Sequence, residues 1–443
     1  MSTELRPLLR EWMASLTLDP LDPTDPNEHR YVPLEESGKA AVDEIHAMID
    51  LRLNPTAQLL SGPRGSGKTT ELYRLKGALE QDGFTVVIID ILQLVNQAMP
   101  VDVADFLIAV ALGTSEQFPP ADPAKEGFGR RFLDFLQRLN VNIEAGPVSM
   151  SAGDGKLAAS ALGVSVDVDL KRSLQGSPPF VDELRQKLAS RIYELRQEIA
   201  EFFQDLVGQN RIDNPDTRGV VVIVDSLEKL RGTLENDAEV QASVEALFVQ
   251  HSDKLRFSTH HMVYTVPTYL LFTAPGALPY DGPVWQVPIP QLHNQQGEID
   301  TNAKRTMAEL MEVVTRRIPW ERMLGEPKML HRAIDASGGH LRDIFLVLQQ
   351  VITAVYGRGL TLPISADHLE EVLNSVAHGF SSVTREQADF LRRVIRTNGI
   401  PEPADSEVQL MARLMDTHMI LGHKNGHDWY EVHPLARRVL DVS

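Results

Sequence analysis

Residues 62–69 read Gly62-Pro63-Arg64-Gly65-Ser66-Gly67-Lys68-Thr69, a G-x-x-x-x-G-K-T sequence whose residue types suit the capture of a phosphate chain. Glycines let the backbone curl until its N–H groups point inward, where a side chain would block the phosphates. Lys68 can reach β- and γ-phosphates, the Thr69 hydroxyl can ligate Mg²⁺, and Thr70 completes the set of nucleotide-binding candidates.

Such a loop needs a strand before it and a helix after it. The apolar run Ala57 to Leu60 reads as the strand. Leu72, Leu75 and Leu79 follow at helical spacing, Gly83 can end that helix, and Val86 to Asp90 completes a βαβ unit. The helix starting near Lys68 adds its positive N-terminal end to the site.

A second acidic motif lies in Gly219 to Leu230, GVVVIVDSLEKL. Val220 to Val224 reads as a buried parallel strand, which places Asp225 at its carboxyl end, where α/β sheets hold ligands. A carboxylate there can hold Mg²⁺ opposite Thr69, and Glu228 can polarise an attacking water. A further strand, His261 to Val266, ends near Thr265, whose hydroxyl is a candidate for holding that water or the γ-phosphate. Val284 to Ile289 supplies another strand, with Pro288 marking an edge or an end.

Upstream, Asp19-Pro20, Asp22-Pro23, Asp25-Pro26 and Pro33 preclude a helix over 19–33 and predict an extended linker. It leads into Tyr31 and Val32, candidates for packing on a nucleotide base. Between the two acidic-strand motifs the chain is longer than a βαβ layout needs, so part of 96–215 reads as an insertion. Alternation at Val141, Ile143 and Ala145, and at Leu162 through Leu170, predicts a small antiparallel element, with Ser149 to Ser160 as a connector. Leu188, Ile192, Leu195, Ile199, Phe202 and Leu206 form a stripe on a long helix over Val181 to Val207, read as core-facing, with partner binding as the alternative.

The region from about 301 to 380 reads as helical. In Ser337-Gly338-Gly339-His340-Leu341-Arg342-Asp343 the glycines end one helix and Arg342 falls in the first turn of the next, where the dipole disfavours a cation and an anionic ligand would explain it. After that, Thr384 with Gln387 forms a capping box, Ser406 can cap a second helix, and Asn425-Gly426 suits a hairpin turn between Ile420-Leu421 and Trp429 to Val432. Helix, helix, hairpin is a winged-helix order. From 384 to 443 eight Lys/Arg stand against nine Asp/Glu, a balance that favours protein docking over DNA reading.

The 443 residues suffice for about two to four domains. No apolar run approaches membrane-spanning length, and Met1 to Arg10 lacks a signal core, so a cytoplasmic protein is expected. The absence of cysteine removes disulfides and thiolate chemistry. A formal charge of −18 opposes loose DNA binding by the whole surface.

Taken together, GPRGSGKTTEL, VIVDSLEKL, HMVYTVP and SGGHLRDI resemble the Walker A, Walker B, sensor-1 and sensor-2 regions of the AAA+/STAND group of P-loop ATPases, over about 28–443. The resemblance implies an α/β fold with an AAA+-like parallel-sheet P-loop NTPase core, a helical lid and a winged-helix domain. It divides the chain into an N-terminal segment and Pro-rich linker (1–55), an ATPase core (56–290) with the insertion, a lid (291–380) and a winged helix (381–443). On it, Arg342 looks like the sensor-2 arginine that contacts the γ-phosphate, and Arg256 like an arginine finger acting on a neighbouring subunit, with Arg316 and Arg317 as competitors. Many AAA+ enzymes carry Glu directly after the Walker B Asp; here Ser226 stands there, as in the STAND form, which implies slow turnover.

The resulting expectation is an ATP- and Mg²⁺-binding switch that couples nucleotide state to a protein partner or effector, or to an ATP-dependent homo-oligomer. A DNA-binding loader, initiator or regulator is the alternative.

Overall fold

The computed structural model describes residues 5–35, 39–118, 127–143, 166–233, 235–273, 278–397, 399–401, 407–425 and 427–442. Helix α1 (Leu5–Ser15) and a turn-rich segment lead to α2 (Ala40–Asp50), β1 (Ala57–Ser61), α3 (Lys68–Gln81) and β2 (Phe84–Asp90). Five helices follow: α4 (Val103–Gln117), α5 (Phe128–Arg138), α6 (Val166–Gly176), α7 (Pro178–Leu188) and α8 (Ile192–Asp213). Then come β3 (Gly219–Asp225), α9 (Asp237–Val249), β4 (His261–Val266), the short α10 (Leu270–Thr273) and β5 (Val284–Gln286).

These strands make one parallel sheet in the order β2-β3-β4-β1-β5. β4 therefore separates the loop-bearing strand β1 from the acidic strand β3, with Leu60 beside Thr265 and Asp90 beside Asp225. The three inner strands are buried throughout, or nearly so, which suits their runs of Val, Ile and Leu. One face packs α2 and α3 through Ile45, Leu72, Leu75 and Leu79; each such side chain is worth about 1.5–3 kcal/mol of burial. The other face packs α4, whose residues Val103 to Ser115 are all buried, and behind it α5 to α8.

Two expectations for the insertion fail. Val166, Val168 and Leu170 belong to helix α6, not to a strand: Leu170 and Leu174 are buried four residues apart, and this pair packing into the sheet's core outweighs the period-two run that precedes it. At 141–143 there is only an isolated bridge residue, Ile143; Ala145, the connector Ser149 to Ser160 and Leu162 to Val164 lie outside the described residues. The predicted long helix over 181–207 is two helices, α7 and α8, joined by a 3₁₀ turn at Ala189–Arg191. Its stripe faces the core, with Leu188, Leu195 and Ile199 fully buried.

The helical region expected to be a lid (hereafter the lid) comprises α11 (Thr301–Thr315), α12 (Trp320–Leu324), α13 (Pro327–Ala336), α14 (Leu341–Arg358) and α15 (Ala366–Ala377). A last module follows: α16 (Arg385–Thr397), α17 (Val408–Asp416), the antiparallel pair β6 (Ile420–Asn425) and β7 (His427–Val432), and α18 (Pro434–Val442). Thr384 and Gln387 form the reciprocal bonds of the expected capping box; Ser406 lies outside the described residues. Lid and last module share one hydrophobic core, and α1 joins it through Leu9, Trp12 and, just beyond the helix, Leu16. Within the N-terminal segment, α1 docks on the lid's core and α2 on the sheet. No helix among the described residues is long and apolar enough to cross a membrane.

Candidate nucleotide-binding site

The G-x-x-x-x-G-K-T loop joins the carboxyl end of β1 to the start of α3. Two of its glycines are required by close approach. At Gly62 a Cβ would lie 2.6 Å from the Val287 carbonyl oxygen, and at Gly65, with φ +81°, it would lie 2.8 Å from the Cβ of Arg342. Lys68 is almost wholly buried. Its Nζ donates to the carbonyls of Gly62 at 2.7 Å and Pro63 at 2.9 Å and stands 3.0 Å from Glu228 Oε1.

The end of β3 closes on the loop from the far side of β4. The Thr69 hydroxyl donates to Asp225 Oδ2 at 2.7 Å, and Arg64 donates twice to the Glu228 carbonyl, at 3.0 and 2.8 Å. Ser226 turns the chain between the two acids with φ +74°, a left-handed conformation that costs a non-glycine residue about 1–2 kcal/mol. Two bonds hold that turn: Lys229 Nζ donates to Ser226 Oγ at 2.9 Å, and the Leu227 N–H donates to Thr265 Oγ1 at 3.2 Å. Thr265 therefore supports the acidic turn through its hydroxyl, which is itself fully buried.

The two carboxylates are pushed apart electrostatically. Burial, reinforced by the charge of Glu228, raises Asp225 above the usual carboxylate range. Burial also acts to raise Glu228, but the Lys68 and Lys229 charges outweigh it and hold Glu228 low. Asp225 Oδ1 and Glu228 Oε2 are buried with no hydrogen-bond partner among the described residues. An unpaired carboxylate oxygen on Asp225, beside the Thr69 hydroxyl, is a hard-oxygen donor set of the kind Mg²⁺ prefers, so these residues fit that ion.

Beside the loop opens a cavity of about 420 Å³. Its lining combines the loop residues Gly65 to Thr70 and Glu228 with the apolar side chains of Val32, Leu34, Val313, Leu341 and Phe345. That mixture of loop and apolar side chains suits a ligand with a charged tail and a flat apolar ring. Tyr31 also lines it, but the phenol donates to Glu71 Oε1 at 2.9 Å. Residues 17–34 cross the cavity as a strap fastened on both sides. The Leu21 N–H donates to Thr70 Oγ1 at 3.1 Å on the core side. On the lid side Gln349 donates to the Leu16 carbonyl at 2.9 Å, Arg316 to that of Tyr31 at 2.6 Å, and Arg317 to that of Arg30 at 2.9 Å. Arg317 packs its guanidinium 4.8 Å above the Phe345 ring, and burial lowers it to about 10.

Arg342 projects from the first turn of α14 into the same cavity, and among the described residues it makes no hydrogen bond or ion pair. Its neighbour His340 stands at the N-cap position, without a side-chain bond to the helix backbone N–H groups, and is fully buried. Nε2 of His340 meets the Arg64 carbonyl at 2.7 Å and Nδ1 meets Asp343 Oδ2 at 2.7 Å. The same Asp343 oxygen accepts from His433 Nε2, at 3.0 Å, from the last module. Burial opposes a charge on Asp343, but the bonds from His340 and His433 keep it well below the carboxylate range. His418 approaches from the turn after α17, its ring stacked 4.7 Å from that of His340; burial lowers it to about 3.

The cavity thus gathers Tyr31, Val32, Arg64 to Thr70, Glu228 and Arg342, with Asp225 joined to it through Thr69. It does not include Arg256. That residue precedes β4, at the opposite end of the sheet, and pairs with Asp281 at 2.9 Å. Arg316 and Arg317 hold the strap's backbone. Sequence reasoning missed His340, Asp343 and His433. His340 and Asp343 stand three apart at a helix start, a spacing that can bring polar groups together; nothing in the sequence ties His433 to them.

Sheet order and loop placement define an α/β P-loop NTPase fold of the AAA+ type, followed by helical parts. No protein-family model and no curated protein matches the chain. Among solved structures, the crystal structure of Cdc6p from Pyrobaculum aerophilum aligns with 97% of this chain and 97% of its own at a TM-score of 0.37 and 11% identity.

Proposed function

We propose that the protein is a slowly hydrolysing, ATP-dependent conformational switch of the STAND/AAA+ kind. ATP would lie with its phosphates in the loop at 62–69 and its base against Val32, Leu34 and Phe345. Thr69 and Asp225 would hold Mg²⁺, which supplies charge neutralisation on the phosphates when bound. Glu228 is the carboxylate that would orient and deprotonate water, and its present bond to Lys68 is a reason to expect slow turnover. Arg342, unpaired and at the cavity edge, is the cation available to a γ-phosphate.

The observation that carries the switch is the chain of contacts Arg64 carbonyl–His340–Asp343–His433. It links the phosphate loop to the last module, read as a winged helix, through buried polar bonds. A loop that moves with nucleotide state changes the contacts available to that module, which is the differential interaction a switch requires. The partner would be a protein or a second copy of the chain. DNA is not favoured, because Arg393 of the last module is paired with Glu407 and Arg438 with Glu370.

The test is mass in solution and limited proteolysis, each with ADP and with a non-hydrolysable ATP analogue. Nucleotide-dependent change in either supports the reading. Binding of both nucleotides with identical mass and identical cleavage removes the switch.

A further inference from the structure

We infer that His340, Asp343 and His418 form a binding site for a divalent transition metal, zinc by its chemistry, between the lid and the last module. Their ligating atoms all lie within 4.8 Å of one another and the three come from two parts of the fold, His340 and Asp343 from the lid and His418 from the last module.

Three features of these side chains point to a cation. His340 faces an acceptor at each ring nitrogen: the Arg64 carbonyl at Nε2 and the Asp343 carboxylate at Nδ1. A carbonyl only accepts, so the Nε2 proton is committed there, and a positive charge is needed between Nδ1 and the carboxylate. A metal-bound imidazole commonly gives its second N–H to a backbone carbonyl in this way. Next, His418 Nε2 stands 3.8 Å from Asp343 Oδ2, too far for a hydrogen bond, while its Nδ1 is buried with no partner among the described residues. A proton on Nδ1 leaves a buried donor unsatisfied; a proton on Nε2 leaves only a long contact. A cation accepting the Nε2 lone pair gives that ring a role. Finally, His418 has φ +47°, at a helix end that glycine or asparagine would occupy with less strain, and this conformation turns the ring toward Asp343.

The spacing suits zinc. Two ligand atoms each about 2.0–2.1 Å from a tetrahedral Zn²⁺ stand about 3.3 Å apart. The contacts of Asp343 Oδ2 bracket that value, 2.7 Å to His340 and 3.8 Å to His418, so binding needs shifts of about half an ångström. His433 is the supporting donor: its Nδ1 accepts from the Leu435 N–H, so Nε2 carries the proton it gives to Asp343. Two imidazoles and one carboxylate leave one position for water, and the set favours zinc or cobalt over Mg²⁺.

The test uses the full chain, stripped with chelator and titrated with Co²⁺ in excess Mg²⁺ without nucleotide. One equivalent with an intense visible band is expected, displaced by Zn²⁺. Co²⁺ held by the oxygens of Thr69 and Asp225 would be octahedral and pale, so the two sites are separable. His418→Asn, which tolerates the left-handed backbone, and Asp343→Asn should each weaken binding at least tenfold, with ATP-analogue binding reporting that they fold. No stoichiometric band in the wild-type chain overturns the inference and leaves a proton-bridged pair. An undiminished band in a folded His418→Asn chain also overturns it.

Discussion

Lys68 Nζ and Glu228 Oε1 stand 3.0 Å apart, both almost wholly buried, so the cation of the phosphate loop and the acid beyond the β3 strand hold each other. Removing either leaves its partner as a buried, unpaired charge. Lys68→Ala should abolish or greatly weaken ATP binding, measured by calorimetry; wild-type affinity would sink the assignment of the loop. Glu228→Gln keeps the shape and a hydrogen-bonding atom near Lys68. It should retain ATP and lower phosphate release by roughly 10²-fold or more if Glu228 is the base. Equal turnover in both proteins would remove that role.

Arg342 has no partner among the described residues and lies at the cavity edge. Arg342→Ala should leave ADP affinity largely intact and erase the difference between ADP and ATP-analogue in limited proteolysis. Cleavage patterns that still differ between the two nucleotides would count against Arg342 as the reader of the terminal phosphate.

At Gly65 the loop lies directly against the lid. A methyl group there meets the Arg342 Cβ at 2.8 Å and requires a left-handed alanine. Gly65→Ala should lower the melting temperature by several degrees, an effect of about 1–3 kcal/mol from strain and overpacking, and weaken nucleotide binding as well. An unchanged melting curve would mean that loop and lid are not in this contact in solution.

His293, just past the core, stands 3.3 Å from Glu431 on β7. The bond from Glu431 raises His293 to about 9, against an ordinary value near 6.5. A raised histidine stabilises the folded form fully below its unfolded value and loses that contribution as pH rises through the folded one. Glu431 is held at about 2: burial would raise it, but His293 and His423 prevail, so its contribution fails only in acid. Docking of the last module should therefore weaken between about pH 6.5 and 9. The melting temperature followed across that range should fall, and His293→Gln should flatten the fall. Identical pH profiles for the two proteins would refute the assignment.

The inner strands of the sheet were legible because they are short, wholly or almost wholly buried apolar runs, and the loop at 62–69 fixes β1 and α3 on either side. Asp225 could be placed by the same logic. Two other features could not. Val166 and Val168 alternate with aspartates as a strand would, and only packing against the sheet's core makes them helical. His433 reaches Asp343 from ninety positions away, which no local pattern records. Arg256, expected to act on a neighbouring subunit, precedes β4 and so stands at the amino ends of the parallel strands, away from this chain's own loop.

Leu9 and Leu440 sit in one hydrophobic core, although nearly the whole sequence separates them. The sheet, by contrast, is complete once the chain has reached Gln286. During synthesis the sheet can therefore fold first, while the lid's core waits for the last helix to leave the ribosome. Removing α1 or α18 should accordingly damage that core and spare the sheet, so a shortened protein can keep the loop at 62–69 yet lose the module packed against it.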